Sequence, residues 1–183
     1  MAGDAKSYNL AKPTRPKCLM NRNSLRIGIG HDTHRLVPGG PLILGGISIP
    51  FEMQLLGHSD ADVLLHAVTD ALLGAAGLGD IGEHFPDTLP VNRNRSSIEM
   101  LQQAMSIVRK HGLTPVNLDC IVFAERPKLS PHKESIRDSI AQAIGIDPDC
   151  VNVKAKTGEQ IGIVGSQQCI QAQCVALLSF EPS

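Results

Sequence analysis

Apolar and polar positions along this chain recur at two periods, and the switches between them mark out the elements. Leu25 to Asp32, LRIGIGHD, alternates apolar and small residues and predicts a strand running into Asp-Thr-His. Leu42–Leu44 and Ile47–Ile49 flank Gly45-Gly46, the pattern of a β-hairpin. After Phe51–Gly57, the stretch Leu55–Thr88, LLGHSDADVLLHAVTDALLGAAGLGDIGEHFPDT, carries the clearest helical period. Val63, Leu64, Ala67, Val68, Ala71, Leu72 and Ala75 form one apolar stripe, predicting a well-buried central helix. Ser59 is its expected N-cap, with Asp60 and Asp62 in the first turn and Gly79 as the stop.

Pro86, Pro90, Asn92 and Asn94 argue against regular structure between Gly79 and Arg95, which makes that segment a candidate mobile flap. Ser96-x-x-Glu99 is a capping box opening a second amphipathic helix that ends near His111-Gly112. Asn117–Ala124 predicts a strand, and Ser130-Pro131 starts a third helix stopped by Gly145. Val151–Ala155 is a further strand, Thr157–Gly165 a turn-rich loop, and Cys169–Phe180 a long final strand. This order predicts a single-domain α/β sandwich, a mainly β sheet packed on one side by about three helices. Residues 1–24 hold two prolines, five Lys/Arg and one acidic residue without a hydrophobic period. They are expected to be a disordered or loosely attached extension ahead of a domain over residues 25–183. A plastid transit peptide is the less favoured reading of that segment, because it lacks Ser richness and an amphipathic period.

At 183 residues, with 42% hydrophobic and 19% charged residues, the chain fits one domain with a real core. A net charge of -1, no Trp and one Tyr argue against a nucleic-acid or membrane surface. The five cysteines form no C-x-x-C pair, and several lie in apolar runs, which suits a reducing, cytoplasmic setting.

The candidate chemistry gathers around the central helix. In Asp32-x-His34 both side chains share a face if the strand continues, so both could bind one ion. A third ligand could come from His66, His58 or Asp62, and helical spacing alone favours Asp62, one turn from both histidines. Two histidines, a carboxylate and an open position are the usual ligand set of a catalytic zinc, although a core histidine is the plainer reading of His66 alone. His58-Ser59 at the expected helix mouth offers a phosphate seat. Glu125-Arg126-Pro127-Lys128 follows a strand, and Lys154, Lys156 and Glu159 flank the next one. Strand ends of that kind bind ligands in open α/β sheets, or are simply solvated turns.

In order and spacing, RIGIGHDTH, GGISIP, LLGHSDADVLLHAVTDALLGAAGLGDIG, FPDT, PKLSPH and VNVKAKTGE resemble the 2-C-methyl-D-erythritol 2,4-cyclodiphosphate synthase family over about residues 25–180. The resemblance implies a homotrimer with active sites between subunits, working in the non-mevalonate isoprenoid pathway. The family is a phosphorus-oxygen lyase: the 2-phosphate of 4-diphosphocytidyl-2-C-methyl-D-erythritol 2-phosphate attacks the β-phosphate, and CMP leaves. It implies one zinc ion on Asp32, His34 and His66, rather than on Asp62, and a second divalent ion, Mg2+ or Mn2+, at Glu159 with the substrate diphosphate. His58 and Thr157 match the transition-state stabilisers. His58, Ser59, Asp80, Gly82 and Asp87 match the methylerythritol phosphate side, and Asp32, His34, Ile81 and Phe85 are further implied substrate contacts. Ala124, Pro127, Lys128, Leu129, Ser130, Lys156, Thr157, Glu159 and Ile163 match the cytidine and diphosphate side. Three departures stand out: Leu89, Arg93-Asn94-Arg95-Ser96-Ser97 in place of an Asp and a Lys-Gly-Ala-Asp-Ser run, and Gly165-Ser166-Gln167-Gln168 in place of Gly-Arg-Gly-Glu. A zinc phosphohydrolase and an inactive trimeric metal- or isoprenoid-binding protein are the rival readings.

Overall fold

The computed structural model describes residues 24–181. The expected N-terminal extension, Ser24 apart, lies outside the described residues. Strand β1 (Leu25–Pro38) leads into a hairpin of β2 (Leu42–Leu44) and β3 (Ile47–Ile49), then β4 (Met53–Leu56) and helix α1 (Val63–Ala76). Next come the four-residue helix α2 (Ile81–His84), α3 (Ser97–Lys110) and β5 (Leu113–Phe123). Helix α4 (Lys133–Ile144), β6 (Val151–Lys156), the four-residue α5 (Gly162–Gly165) and β7 (Cys169–Phe180) complete the chain. The main sheet has the order β4-β1-β7-β5-β6, antiparallel throughout except for the parallel β5–β6 pair.

One face of this sheet carries the helices. Helix α1 lies on β1 and β7, α3 packs on α1, and α4 packs on β6. Leu118, Cys120 and Val122 of β5 and Ile170, Ala172, Cys174 and Ala176 of β7 are buried beneath them. The fold is thus the expected α/β sandwich of a sheet with helices on one side. The opposite face carries no helix among the described residues, and there Leu25, Ile27 and Ile29 are 63%, 72% and 70% exposed. Among the described residues no helix is long and apolar enough to cross a membrane.

The two small residues of RIGIG have a specific cause. A Cβ on Gly30 would stand 1.9 Å from the carbonyl oxygen of Ala67, and one on Gly28 would stand 2.0 Å from that of Ala71. Strand β1 and helix α1 therefore touch backbone to backbone, with Ala67, Ala71 and Ala75 as the facing helical residues. This contact brings the residue next to Ala67, His66, against β1 at Asp32 and His34.

Several boundaries differ from the sequence reading. Asp62, not Ser59, caps α1, accepting from the N–H groups of Leu64 and Leu65. The same buried carboxylate accepts from Gly45 N–H at 2.9 Å and Gly46 N–H at 2.6 Å, so it fastens the hairpin turn to the helix. Because Ala61 adopts a left-handed φ of 60°, the chain turns sharply before Asp62, and the helix cannot begin at Ser59. Asp60 and Asp62 are consequently not first-turn residues. The helix stops at Gly77, whose φ is 72°, two residues before the predicted Gly79. Ser96 precedes α3 without a side-chain capping bond; the carboxylate of Asp60 caps it instead through Ser97 N–H at 2.9 Å.

The segment expected to lack regular structure contains α2 and a 3-10 turn at Pro90–Asn92. Asn92 Nδ2 donates to the Pro86 carbonyl at 2.8 Å, and Arg95 stacks over the Phe85 ring 5.2 Å from its centroid. These local contacts substitute for a longer element. The final strand has the predicted bounds, whereas β1 continues six residues beyond Asp32 to Pro38, paired on one side with β7 and on the other with β4.

The glycine contact is directly testable. Gly30→Ala overfills a site walled by backbone and is expected to cost about 1–3 kcal/mol or more. Urea denaturation of the folded variant would measure this; an unchanged midpoint would refute the backbone contact.

Candidate active site

Residues 32 and 34 of β1 continue the helix-facing row of Gly28 and Gly30, because alternate side chains share a face. Their groups meet His66 from α1. Asp32 Oδ2 lies 3.0 Å from His34 Nε2 and 2.9 Å from His66 Nδ1, and the two ring nitrogens are 3.1 Å apart. Three ligands on a tetrahedral zinc with bonds of ~2.0–2.1 Å stand roughly 3.3–3.4 Å apart. The observed triangle thus needs to open by only a few tenths of an ångström to hold such an ion.

The outer hydrogen bonds favour a cation at its centre. His34 Nδ1 sits 2.9 Å from the Leu56 carbonyl oxygen, which can only accept, so Nδ1 carries the proton and Nε2 a lone pair. His66 Nε2 lies 3.1 Å from Ser59 Oγ and 3.0 Å from Ser97 Oγ, which leaves Nδ1 facing the cluster. With both imidazoles neutral, three lone pairs converge and no proton separates them. A metal ion or added protons must relieve that repulsion. Asp32, His34 and His66 are the cluster among the described residues with the donors and spacing for a metal.

The titration behaviour has the same origin. Burial raises the Asp32 carboxyl, but hydrogen bonds from the protonated His34 and His66 rings outweigh it and hold the group far below the usual carboxylate range. Burial lowers His34, but the Asp32 carboxylate and the Leu56 carbonyl outweigh it and raise it above the ordinary 6.5. Asp62, the alternative third ligand, is turned away. It is fully buried on four backbone N–H groups, and burial pushes its carboxyl up against their opposing effect.

The cluster opens into a cavity of about 410 Å³ lined by His34, His58, Ser59, His66, Ile81, Gly82, Phe85 and Asp87. All eight are sequence candidates. Pro86, Thr88, Asn92 and Met100 complete the wall, and no sequence signal singled them out as site residues. Asp80 serves as N-cap of α2, accepting from Glu83 N–H at 2.9 Å, and Asp70 accepts from Ile81 N–H at 2.7 Å. The GDIG turn is thereby pinned to α1. The expected phosphate seat at a helix mouth is corrected: His58 and Ser59 lie in the turn before α1, whose first N–H groups are taken by Asp62.

The remaining candidates lie elsewhere. Ala124, Pro127, Lys128, Leu129, Ser130, Lys156 and Thr157 line a second cavity of about 290 Å³ at the ends of β5 and β6. Ala124 N–H donates to the Lys156 carbonyl at 2.9 Å, joining the two strand ends. Glu159 follows at a left-handed φ of 51°, with Thr157 Oγ1 donating to its Oε1 at 2.5 Å. Glu125, read from sequence only as part of the strand-end segment Glu125-Arg126-Pro127-Lys128, accepts from Gly158 N–H at 3.0 Å and holds this loop. Ile163 is half exposed on α5. Lys154 faces the other side of the sheet, away from the second cavity, and pairs with Asp119. The two cavities share no lining residue. Asp32 and Val122 both pair with Ala172, so both cavities lie toward the same end of the sheet.

Fold and cluster together define an α/β sandwich with a His-His-Asp cluster that could hold a metal ion toward one end of its sheet. The family model described as the YgbB family matches residues 25–179. The chain is 54% identical over 154 residues to 2-C-methyl-D-erythritol 2,4-cyclodiphosphate synthase of Chromobacterium violaceum, covering 84% of this chain and 98% of that protein. It is 51% identical over 155 residues to the same-named protein of Dechloromonas aromatica, covering 85% and 97%. A solved structure of 2C-methyl-D-erythritol-2,4-cyclodiphosphate synthase in a CDP-bound form matches with a TM-score of 0.78 and 41% identity, over 84% of this chain and 100% of that chain. The bifunctional IspDF of Campylobacter jejuni matches with a TM-score of 0.84 and 40% identity, over 86% of this chain and 43% of that one. The chain belongs to the YgbB family, to which these cyclodiphosphate synthases are its relatives.

The raised His34 sets a pH dependence. Metal needs the neutral ring, so affinity is full above the raised value and falls as pH drops through it, beginning above 6.5. The apo protein has the opposite dependence: the charged His34–Asp32 pair contributes its stability below 6.5, and loses it as pH rises through the raised value. Zinc competition titrations and apo-protein denaturation across that range check both signs, and parallel curves would contradict the assignment.

Proposed function

We propose that this chain is a 2-C-methyl-D-erythritol 2,4-cyclodiphosphate synthase, converting 4-diphosphocytidyl-2-C-methyl-D-erythritol 2-phosphate to the cyclic diphosphate and CMP. The observation that carries the reading is the Asp32–His34–His66 cluster opening onto the cavity of His58, Ser59, Gly82 and Asp87, in a chain of this family. In the reaction an oxygen of the 2-phosphate forms a bond to the β-phosphorus. The bond from that phosphorus to the bridging oxygen breaks, and its electron pair leaves with CMP.

Bringing two phosphates together concentrates negative charge, so the protein must supply positive charge and alignment more than a base. Zinc held by Asp32, His34 and His66, with Mg2+ or Mn2+ at Glu159, would supply Lewis-acid charge to the phosphoryl oxygens. Asp32 and the two imidazoles keep their lone pairs turned inward through the Leu56 and serine contacts. His58 and Ser59 donate to the phosphate of the methylerythritol end, and Asp87 accepts from its hydroxyls. Ile81, Gly82 and Phe85 wall that end off from water, which keeps cyclisation ahead of hydrolysis.

Lys128 and Lys156 neutralise the diphosphate in the second cavity, while Ala124, Pro127, Leu129, Ser130 and Ile163 hold the cytidine side. Similar structures carry CDP, which supports a cytidine diphosphate group as part of the ligand. Thr157, whose hydroxyl donates to Glu159, offers that hydroxyl to the phosphoryl oxygen where charge develops. Fixing both ends of one flexible substrate supplies most of the remaining rate through alignment.

The active unit is a homotrimer in which the first cavity of one subunit meets the second cavity of its neighbour. The bare apolar face bearing Ile27 and Ile29 supports an assembled state, since monomers rarely leave such a patch in water. Residues from 25 onward form the catalytic domain. The free thiols of Cys120, Cys150, Cys169 and Cys174 support a cytoplasmic setting.

Phosphorus NMR of the purified protein with substrate, zinc and magnesium tests the chemistry. Cyclic diphosphate and CMP should form in equal amounts, and an open-chain product would establish a hydrolase instead. The shared site is tested by co-refolding His66→Ala with Lys128→Ala chains, each inactive alone. Randomly mixed trimers should recover about a quarter of wild-type activity, because one kind of interface pairs two intact halves. No recovery, with mixed trimers verified, would place both halves in one chain.

A further inference from the structure

The ring nitrogen of His66 that faces away from the cluster, Nε2, meets groups outside it. Ser97, 1% exposed at the start of α3, places its Oγ 3.0 Å from His66 Nε2. That hydroxyl also contacts Asp60 Oδ1, while Ser97 N–H donates to Asp60 Oδ2 at 2.9 Å. An ionised carboxylate only accepts, so the Ser97 proton is committed to Asp60 and a lone pair faces His66. His66 must then donate from Nε2, which leaves Nδ1 unprotonated toward Asp32 and His34.

We propose that Asp60 and Ser97 are positioning residues that act through His66, selecting its Nε2–H tautomer and so preparing Nδ1 for a metal ion. The inference deepens the proposed zinc site and rests on that reading.

Ser59 stands at a similar distance from His66 Nε2, 3.1 Å, but it differs in one respect. Its oxygen already accepts Ala61 N–H at 3.1 Å, and its own proton is committed to no described carboxylate. Ser97 is therefore the acceptor that orients the ring, and Ser59 keeps a hydroxyl proton for a ligand in the cavity that it lines.

The arrangement also links the metal ligand to the wall of the cavity. Asp60 N–H donates to the Arg95 carbonyl at 3.1 Å, and Asn94 N–H donates to the His58 carbonyl at 2.9 Å. Asp60 thus holds the start of α3 and the end of the Phe85–Arg95 segment against the turn that precedes α1. A shift of this segment would move Ser97 off His66.

Ser97→Ala keeps the backbone N–H that Asp60 caps, so it removes the hydroxyl with little change to the helix start. Loss of an outer partner of a metal-bound histidine typically reduces affinity by about 10–100-fold, and that drop is expected in zinc competition against a chromophoric chelator. In the apo variant near pH 8, well above the ordinary imidazole range, nitrogen NMR should find His66 as a mixture of tautomers, against a single Nε2–H form in wild type. Asp60→Asn should act in the same direction, since an amide can donate to Ser97 and turn its hydroxyl proton toward His66. Ser59→Ala should leave the tautomer and zinc affinity nearly unchanged. Wild-type tautomer and affinity in folded Ser97→Ala would overturn the inference, as would a tautomer change confined to Ser59→Ala. Wild-type protein that takes up no zinc but carries the Nε2–H form would sink the metal reading, while the apo tautomer measurement would still support the role of Ser97.

Discussion

The whole arrangement depends on the backbone contact between β1 and α1. A strand and a helix normally keep a layer of side chains between them, and here Gly28 and Gly30 remove it, so the Ala67 and Ala71 carbonyls sit where Cβ atoms would be. The consequence is chemical. Imidazole is a short reach, and His66 meets Asp32 at 2.9 Å because the helix carrying it is drawn onto the strand. A wider spacing would leave the same three residues as a surface Asp-His pair and a core histidine.

Two neighbouring acids then divide the work of holding the turn between β4 and α1. Asp62 faces inward, capping α1 and gathering the N–H groups of the Gly45-Gly46 turn, while Asp60 faces the start of α3. Both use their charge on backbone N–H groups, which is why neither competes with Asp32 for a metal. The left-handed Ala61 between them is the geometric requirement for sending the two carboxylates in different directions. His58 and Ser59 are thereby presented to the cavity rather than wound into a helix.

The sheet separates the chemistry into two places. Metal-cluster residues sit at β1 and α1, and the lysines of the second cavity at the ends of β5 and β6, with β7 between the strands. Each cavity holds part of what a substrate with phosphates at both ends requires. The apolar side chains of Leu25, Ile27 and Ile29 on the bare face make association with another chain a natural way to complete the site.

Much of this was legible in the residues alone. The hairpin about Gly45-Gly46, the stripe of α1, the bounds of β7 and the one-sided helical layer follow from local periodicity and turn chemistry, which act over a few residues. The Asp32-x-His34 pair was visible because strand alternation puts residues two apart on one face. Spacing alone left the third partner open and favoured Asp62; the family resemblance pointed to His66, and in the fold burial on four N–H groups removes the Asp62 carboxylate from the cluster. The roles of Asp60 and Ser97 were hidden for the same reason: they are 37 positions apart, and Ser97 read as part of a helix start. Sequence by itself determined the elements and the supply of ligands. The choice among those ligands was decided by tertiary structure, because it rests on which atoms two glycines allow to approach within hydrogen-bond distance.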